Sequence, residues 1–377
     1  MSARTHQRVS NTIVAAAFVA ALGVPLLGTI AGIEGGDQAS ENRQLAAFPH
    51  LTAGWSGLTG FASGFAGWFT DHFAFRKDMV RWFGETRYFA LGVSPTSSVV
   101  LGKDDFLFFA ADESLDDYAN VRAFDEKELT TWRESIVKTR DWCERHGIAY
   151  VFVAVPDKYE IYPEEFPETV QQLSPVPRIA QLYGAVSDTR VAVDVRPELM
   201  HAKTEERIYY LTDTHWNDRG AFAAYQPIIR ALNAQNPAVG EPWQRSDFDA
   251  PSEQIDGQDL AGMMGLTHVL HEDALPLVPR RPRRARVIEP KDVNPRESIG
   301  RLVTEIPGSN QPRAVIFRDS FANALVPFLS EHFSRAVYLW QKDVDPDDIL
   351  KEHATVVIQE IVGRHLYSFT PSPSMIP

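Results

Sequence analysis

The sequence predicts an α/β protein whose mainly parallel sheet is flanked by helices, preceded by one membrane-spanning segment at the N-terminus. Two observations predict the sheet. Short runs of β-branched and aromatic residues recur along the chain, and amphipathic segments with helix-ending signals separate them. Strands that alternate with helices in this way usually pair in parallel. A third observation predicts the membrane segment: Thr12 to Ile33 contains no charged residue.

The N-terminal apolar segment is long enough to cross a bilayer, which takes about 20 residues. Arg4 and Arg8 precede it, and a positively charged flank favours the cytoplasmic side of a membrane. A secretory signal peptide has the same order of features, but its apolar run is usually about 7 to 15 residues long. We therefore expect an uncleaved anchor over residues 1–33, with the rest of the chain outside the cytoplasm. Secretion after cleavage near Ala31 is the alternative.

Residues 34–120 are expected to form a connector and a small accessory region. The stretch IEGGDQASENRQLAAFPHL is polar and contains glycine, as linkers do. The segment FTDHFAFRKDMVRWFGETRYFALG carries apolar residues at mixed helical spacing, which predicts one or two helices. The segment SSVVLGKDDFLFFA has two β-type runs around a turn, which predicts a hairpin.

Residues 121–377 carry the regular α/β pattern and are expected to form one domain. The segment DEKELTTWRESIVKTRDWCERHG predicts a helix that ends at Gly147, and IAYVFVAV after it predicts a buried strand. The segment RVAVDV repeats the strand pattern, and DRGAFAAYQPIIRALNAQ predicts a helix. Strand and helix patterns then alternate in RAVIF, NALVPFLSEHF, RAVYLW, PDDILKEHA and TVVIQEI.

Composition excludes several classes of function. The 377 residues include 37 Lys and Arg against 50 Asp and Glu, a net charge of −13 that repels a nucleic-acid backbone. The basic run PRRPRRAR, Pro279 to Arg286, can contact an anionic lipid or polymer, but such runs are more often solvated, mobile loops, and we expect a loop here. The single cysteine, Cys143, lies at helical spacing with apolar residues and is expected in the core. No glycine-rich phosphate loop stands between a strand and a helix, so we expect no nucleotide cofactor.

Two short segments, DTHWNDRG at 213–220 and RDSF at 318–321, carry the candidate chemistry. Ser320 lies between a predicted strand and a predicted helix, where reactive groups gather in an open α/β sheet. A serine hydroxyl becomes a good nucleophile when a histidine accepts its proton and a carboxylate orients that histidine. Asp213 and His215, at alternate positions of an extended segment, would point to the same side and supply both groups. The Ser320 N–H, at a helix start, is the expected oxyanion donor.

Spacing alone leaves other interpretations open. Asp213 can cap the following helix while His215 only packs in the core, and Asp319 or Ser320 can cap the helix after the strand. Asp213 and His215 can also be two ligands of a metal, but no nearby residue supplies the further histidine of a non-haem iron site. We expect no metal.

The order of several motifs resembles the alginate O-acetyltransferase family of the AlgJ and AlgX type, whose catalytic domains are SGNH-hydrolase-like. The resemblance runs from Glu41 to Phe333. The segments that carry it are ENRQLAAFP, DHFAFR, GKDDFLFF, VPDKYEIYPE, YYLTDTHWNDRGA, GQDLAGMMGL and FRDSFANALVPFLSEHF. DTHW followed much later by the serine motif is the most diagnostic pair.

The resemblance implies that Ser320 accepts the acyl group, that His215 is the general base and that Asp213 orients it. The order Asp, His, Ser is similar to that of the acetyltransferase group, whereas ordinary SGNH esterases place the serine motif near the N-terminus. Arg318 departs from the family pattern, because the serine motif usually has glycine there. It either crowds the turn or adds a cation near the oxyanion, and we take it as a candidate substrate-binding residue.

Other residues are weaker candidates for substrate contact. Lys158 and Tyr159 follow a predicted strand end, where they either line the cleft or anchor a loop. Trp216 is either a sugar-stacking wall or a packed core residue. Asp259 and Arg364 lie in family-like stretches and receive no role.

The resemblance implies a periplasmic O-acetyltransferase, anchored to the bacterial inner membrane, that acts on a secreted or cell-surface polysaccharide through an acetyl-serine. In such systems a multi-pass membrane acyltransferase exports the acetyl group, so a partner of that kind is expected. One alternative is a carbohydrate esterase or deacetylase that uses the same three residues with water as the acceptor. The other is a polysaccharide-binding assembly component without catalysis.

Overall fold

A computed structural model describes residues 3–33, 45–291 and 293–376. The chain forms two compact units, Met1–Thr96 with Ala261–Val269, and Ser97–Leu260 with Leu270–Pro377. Residues 34–44 of the predicted connector, including Glu41, lie outside the described residues. The domain boundary expected at residue 120 stays a prediction.

The first unit contains an apolar helix followed by two shorter helices. These are α1 (Ala3–Ile30), α2 (Trp55–His72) and α3 (Arg76–Glu85), and a π-helical turn, Thr86–Ala90, continues α3. Helix α1 is long and apolar enough to cross a membrane between Asn11 and Ile30. Its apolar side chains are exposed rather than packed in a core, which fits a membrane anchor.

The remaining elements form an α/β arrangement. The strands are β1 (Val99–Leu101), β2 (Leu107–Phe109), β3 (Ala149–Val155), β4 (Phe248–Asp249), β5 (Glu253–Asp256), β6 (His271–Ala274), β7 (Val278–Pro279), β8 (Arg286–Glu289), β9 (Leu302–Glu305), β10 (Arg313–Arg318), β11 (Arg335–Trp340) and β12 (Val356–Val362). The helices are α4 (Ser114–Tyr118), α5 (Glu126–Arg145), α6 (Lys158–Ile161), α7 (Arg178–Val186), α8 (Arg196–Lys203), α9 (Asp218–Gln235), α10 (Asp259–Met263), α11 (Val326–Leu329) and α12 (Pro346–Lys351).

The central sheet has six strands in the order β3-β12-β10-β11-β9-β8. The four strands β3, β12, β10 and β11 pair in parallel. Strand β9 pairs antiparallel with β11, and β8 pairs antiparallel with β9. The α/β prediction is confirmed. The sheet is mixed, because β9 runs in the direction opposite to the other five strands.

Helices cover both faces of this sheet. Helix α9 packs Phe222, Ile228 and Leu232 against one face, and α5 packs Trp132 and Ile136 against the other. Buried apolar area of this kind is the main stabilising contribution in a domain, about 25 cal/mol per Å². The core prediction for Cys143 is also confirmed, since its side chain is fully buried and burial raises the pKa of the thiol to about 12.

Several local elements follow their sequence signals closely. Asp125 caps α5 by accepting from the Glu128 N–H, while the Glu128 carboxylate accepts from the Asp125 N–H, the reciprocal pattern of a capping box. The predicted hairpin forms from β1 and β2. The predicted helix NALVPFLSEHF is broken, because α11 is flanked by the 3-10 turns Phe321–Ala324 and Ser330–His332.

The basic run, Pro279 to Arg286, is a largely exposed loop, as composition predicts, but two of its arginines contact residues of the folded domain. Its ends lie in β7 and β8. The Arg281 guanidinium lies 3.9 Å from the Trp243 ring centroid, and Arg284 donates to the buried Glu331 carboxylate. Stacking on an aromatic ring and pairing with a buried acid fix these side chains.

Candidate active site

The candidate site lies where three neighbouring parallel strands end. Strand β10 is followed by Asp319 and Ser320, β12 by Arg364 and β3 by Asp157. Because β3, β12 and β10 are adjacent and parallel, their carboxyl ends bring these residues to one edge of the sheet. Ser320 has a backbone φ of −68° and immediately precedes the 3-10 turn Phe321–Ala324.

Ser320, His215 and Asp213 form a continuous hydrogen-bonded chain. The Ser320 Oγ lies 2.8 Å from the His215 Nε2, and the His215 Nδ1 lies 2.7 Å from an Asp213 carboxylate oxygen. An Nδ1–H that donates to Asp213 leaves Nε2 free to accept the serine proton. All three side chains are half-buried, so the hydroxyl remains reachable from solvent.

Asp213 and His215 are held in a tight turn, not in the extended segment that the sequence predicts. The His215 backbone N–H donates to the Asp213 carboxylate at 2.7 Å, which is an Asx turn. A bridge between Tyr209 and Trp216 closes the loop. Asp213 does not cap the next helix, because Asn217 does so by accepting from the N–H groups of Arg219 and Gly220.

Asp213 and His215 shift each other's pKa values toward the charged forms. Burial alone would raise the pKa of Asp213, but the charge and hydrogen bonds of His215, helped by Lys158, outweigh burial and hold that pKa below its usual value. Burial alone would lower the pKa of His215, but Asp213 outweighs it, so the histidine pKa lies above its ordinary value. The arrangement therefore keeps Asp213 ionised and strengthens His215 as a base.

Asp259 adds a second carboxylate beside this pair. It accepts from the Thr214 N–H at 2.9 Å. One of its carboxylate oxygens lies within 4.8 Å of a carboxylate oxygen of Asp213 and of a ring nitrogen of His215, so the three groups could together hold a metal ion. Burial, followed by the negative charge of Asp213, raises the pKa of Asp259 to about 6. Both ring nitrogens of His215 already face Asp213 and Ser320, so a metal ion on this cluster would compete with those hydrogen bonds.

Asp319, which the sequence offered only as a cap, fixes the serine loop. It accepts from the Phe321 N–H at 3.0 Å and from the Val362 N–H at 2.8 Å, and it lies 3.2 Å from the His365 Nδ1. Its own N–H donates to Glu360, where burial raises the carboxyl pKa well above its usual range. The acid directly before the serine was the available sequence signal, whereas nothing in the sequence marked Glu360 or His365.

Arg318 does not line a substrate surface. Its side chain is completely buried and donates to the Asn323 side chain and to the carbonyls of Ser298 and Gly300. Its guanidinium also lies 4.7 Å from the Trp340 ring centroid. The guanidinium hydrogen bonds of Arg318 all lie inside the fold, so its placement does not support the substrate-binding role expected for it.

Lys158 is also buried, and it anchors the DTHW loop. Its ammonium donates to the carbonyls of Leu107, Tyr210 and Leu211 at 2.6, 2.9 and 3.1 Å. Burial lowers its pKa to about 8, although the Asp213 carboxylate opposes that shift. Of the two roles weighed for Lys158, loop anchoring matches this placement.

Tyr159 and Trp216 are buried in the same way. The Tyr159 hydroxyl donates to Asp117 at 2.7 Å. The Trp216 indole N–H donates to the Phe321 carbonyl at 3.0 Å, and the two rings meet edge to face. Trp216 therefore ties the histidine loop to the serine loop, and neither aromatic side chain offers a face to a sugar.

Arg364 and Asp157 form a buried ion pair behind the site. Arg364 donates to the Asp157 carboxylate from both its backbone N–H and its guanidinium, and its guanidinium lies 5.4 Å from the Phe321 ring centroid.

The Ser320 backbone N–H is the expected oxyanion donor. Within the described residues, no protein acceptor accepts a hydrogen bond from it. This donor is therefore available to an oxygen placed beside the serine.

Residues 99–347, more than half of the chain, match the family described as the SGNH hydrolase-like domain of the acetyltransferase AlgX. The chain belongs to this family. It is 32% identical over 147 residues to a probable alginate O-acetylase AlgJ of Pseudomonas syringae pv. tomato. This match covers 39% of this chain and 36% of that protein. It is 29% identical over 195 residues to the probable alginate O-acetylase AlgJ of Pseudomonas fluorescens, covering 50% of this chain and 46% of that protein. The matches thus span less than half the length of either relative.

A solved structure agrees on the fold. The structure of Bacillus cereus PatB1 superimposes with a TM-score of 0.54 at 15% identity, covering 74% of this chain and 99% of that one. At this identity the likeness concerns the fold alone. Family membership therefore confirms the α/β, SGNH-like class that the sequence predicts, and it makes this chain a member of an acetyltransferase family.

Proposed function

We propose that this protein is a polysaccharide O-acetyltransferase in which Ser320 carries the acetyl group between donor and acceptor. The observation that carries the proposal is the chain of hydrogen bonds from Asp213 through His215 to the Ser320 hydroxyl. Membership of an acetyltransferase family supports acyl transfer as the reaction class. The curated relatives are named probable alginate O-acetylases, which makes alginate the first polymer to test.

In the first step, His215 Nε2 takes the hydroxyl proton while Ser320 Oγ attacks the acetyl carbonyl of the donor. The Ser320 N–H stabilises the negative oxygen of the tetrahedral intermediate. The donor's leaving group takes the proton back from His215, and the acetyl ester of Ser320 remains. Asp213 stabilises the imidazolium during this step, in agreement with the raised pKa of His215.

In the second step, a sugar hydroxyl replaces the donor's leaving group. His215 removes the proton of that hydroxyl, the sugar oxygen attacks the acetyl carbonyl, and the Ser320 alkoxide leaves and regains the proton. Division into two steps makes each barrier lower than that of a direct transfer. Water in place of the sugar would give the esterase reaction, which uses the same groups.

We further propose that the protein works in the periplasm, held to the inner membrane by α1, and receives acetyl groups from a multi-pass membrane acyltransferase. The length and apolar composition of α1 support the anchor. The acidic net charge of −13 argues against a nucleic-acid partner.

The test separates transfer from hydrolysis. Full-length protein in detergent is incubated with an activated acetyl ester, with and without alginate oligosaccharide, and acetate and acetylated sugar are both measured. Acetyl-sugar formed in excess of acetate supports the transferase. If acetate alone appears, the protein is an esterase.

The Ser320→Ala variant is the matched control. It should abolish both products while it keeps the thermal unfolding midpoint of the parent protein. Producing cells that carry the Ser320→Ala variant and still acetylate the polymer at the parental level would assign the chain to the non-catalytic, polysaccharide-binding alternative.

A further inference from the structure

Helix α2 has an unusual exposed surface. From Trp55 to Thr70 it contains no charged residue, although surface helices of soluble proteins normally carry charges on their outer face. Apolar side chains recur along one side of the helix, at Trp55, Leu58, Phe65 and Phe69. Trp55 is 79% exposed, Leu58 51% and Phe65 39%.

The rest of α2 shows that this stripe is its outer face. The opposite side is lined by glycines that let the chain 45–52 approach closely: a Cβ on Gly57 would overlap the Thr52 carbonyl oxygen, and one on Gly64 would lie 2.8 Å from the Pro49 side chain. Beside the apolar stripe runs a stripe of exposed serines and threonines. It consists of Ser56, Thr59, Ser63 and Thr70. The helix is therefore amphipathic without using charge.

Helix α3 and the turn after it extend the apolar surface. Trp82, Phe83, Phe89 and Leu91 are each more than half exposed. Cationic side chains lie among them. They are Arg76, Lys77, Arg81 and Arg87, against the anions Asp78 and Glu85. Exposed tryptophans and phenylalanines with neighbouring basic residues are typical of helices that lie in the membrane interface.

The turn between α2 and α3 is attached to the last turn of α1. The Ala74 N–H donates to the Thr29 Oγ at 2.9 Å. Gly28 lets the two backbones approach, since a Cβ added there would lie 2.6 Å from the Ala74 Cβ. In an anchor that spans the bilayer, the end of α1 lies where hydrocarbon meets the headgroups. The α2–α3 turn is therefore held at that same depth.

We infer that α2 and α3 form a membrane-interface platform, whose exposed apolar side chains dip into the phospholipid headgroup and acyl boundary beside the anchor. The bilayer is the occupant that these contacts favour, because α1, if it spans, places the turn at the membrane surface. Interfacial helices bury their apolar face about 5 to 10 Å into that boundary. The platform goes beyond the proposed catalytic function and does not depend on it.

The test measures the depth of single spin labels in the full-length protein, reconstituted in vesicles of phosphatidylethanolamine and phosphatidylglycerol. Cys143→Ala removes the buried native thiol, and labels are placed by Phe65→Cys on the apolar stripe and by Ser63→Cys on the polar stripe. Accessibility to oxygen, which dissolves in lipid, is compared with accessibility to a water-soluble nickel chelate. Leu58→Cys and Thr59→Cys repeat the comparison if the first pair folds poorly.

We expect the labels at 65 and 58 to show much lower nickel accessibility and higher oxygen accessibility than a reference label in the same vesicles. That reference is Thr130→Cys, on an exposed face of α5. Equal nickel accessibility at 63 and 65 would overturn the inference. Shielding of position 65 from both reagents would also overturn it, because a protein then covers the stripe.

A label at Val19→Cys, midway along α1, separates this inference from the anchor itself. A lipid-exposed label at 19 with an aqueous label at 65 would refute the platform alone. Aqueous labels at both positions would refute the anchor and the platform together. Acetyl transfer, measured on the same preparations, reports on the proposed function independently.

Discussion

Replacement of Asp213 by asparagine tests whether a carboxylate activates His215. The asparagine side chain is nearly the same size and can still accept the His215 backbone N–H, so the Asx turn should persist. The change removes the negative charge that faces the Nδ1 at 2.7 Å. Two unit charges about 4 Å apart at an effective dielectric constant of about 20 interact by about 4 kcal/mol. Because each factor of ten in rate corresponds to about 1.36 kcal/mol, the loss in kcat/KM should be roughly 10³-fold.

The assay is hydrolysis of an activated acetyl ester by full-length protein in detergent, with the thermal unfolding midpoint measured on the same sample. Asp347→Asn, an exposed acid in the first turn of α12, is the matched control and should keep parental activity. An Asp213→Asn protein that folds normally and keeps more than about a tenth of the activity would refute the reasoning, since the charge would then contribute less than about 1.4 kcal/mol.

Because Asp213 holds the pKa of His215 above its ordinary value and only the neutral imidazole accepts a proton, kcat/KM should rise with pH and reach half its plateau above about pH 6.5. Asp259→Asn removes a second charge that raises this pKa, so the half-point should move to lower pH; an unchanged profile would contradict the electrostatic coupling. Trp216→Phe deletes the donor to a buried carbonyl and should lower the free energy of unfolding by about 1 to 2 kcal/mol in urea titrations. Arg318→Gly should cost about 3 kcal/mol or more by the same measurement, because it empties a buried site and leaves its acceptors unpaired; a fully stable variant would argue against the structural role of Arg318.

Much of the fold was predictable because its parallel core repeats one local pattern. Helices α5 and α9 and strands β3, β10, β11 and β12 all carry their periodicity in the sequence. Strands β8 and β9 were not predicted, since they are short and lie in a region without clear alternation. Their antiparallel pairing is decided by long-range contacts that a local pattern does not encode.

The segment RVAVDV shows how a side chain can replace a strand. It has the composition of a buried strand, but only Ala192 bridges Phe152. The Tyr183 hydroxyl lies beside it and bonds the backbone of Ala154 and the Val193 carbonyl, at 2.9 and 2.7 Å. A tyrosine from α7 therefore satisfies backbone groups that a continuous ladder would otherwise pair.

The candidate site was predictable where chemistry depends on residue type. Serine, histidine and aspartate in two short motifs were enough to nominate Ser320, His215 and Asp213, and their catalytic roles remain proposals. The supporting residues were not predictable, because a buried charge is explained only by its partner. Asp157 and Arg364 are 207 residues apart in the chain, and their pairing appears only in the folded protein.

The same reason applies to the residues nominated for substrate contact. Trp216 and Arg318 lie in the nominated motifs and Lys158 follows a predicted strand end, which made all three candidates for a cleft. All are buried, and their donors bond backbone carbonyls or buried side chains. Neighbouring loops at the end of a sheet need such cross-links to hold reacting groups in position.

The most direct test of the central claim is to trap the acetyl-enzyme. Full-length protein is mixed with an activated acetyl ester, quenched in acid within one turnover, digested and examined by peptide mass spectrometry. We expect one acetyl group on the peptide that contains Ser320, and we expect it to disappear when oligosaccharide is added before the quench. Acetylated sugar formed at the normal rate without any acetyl group on Ser320 would contradict the account.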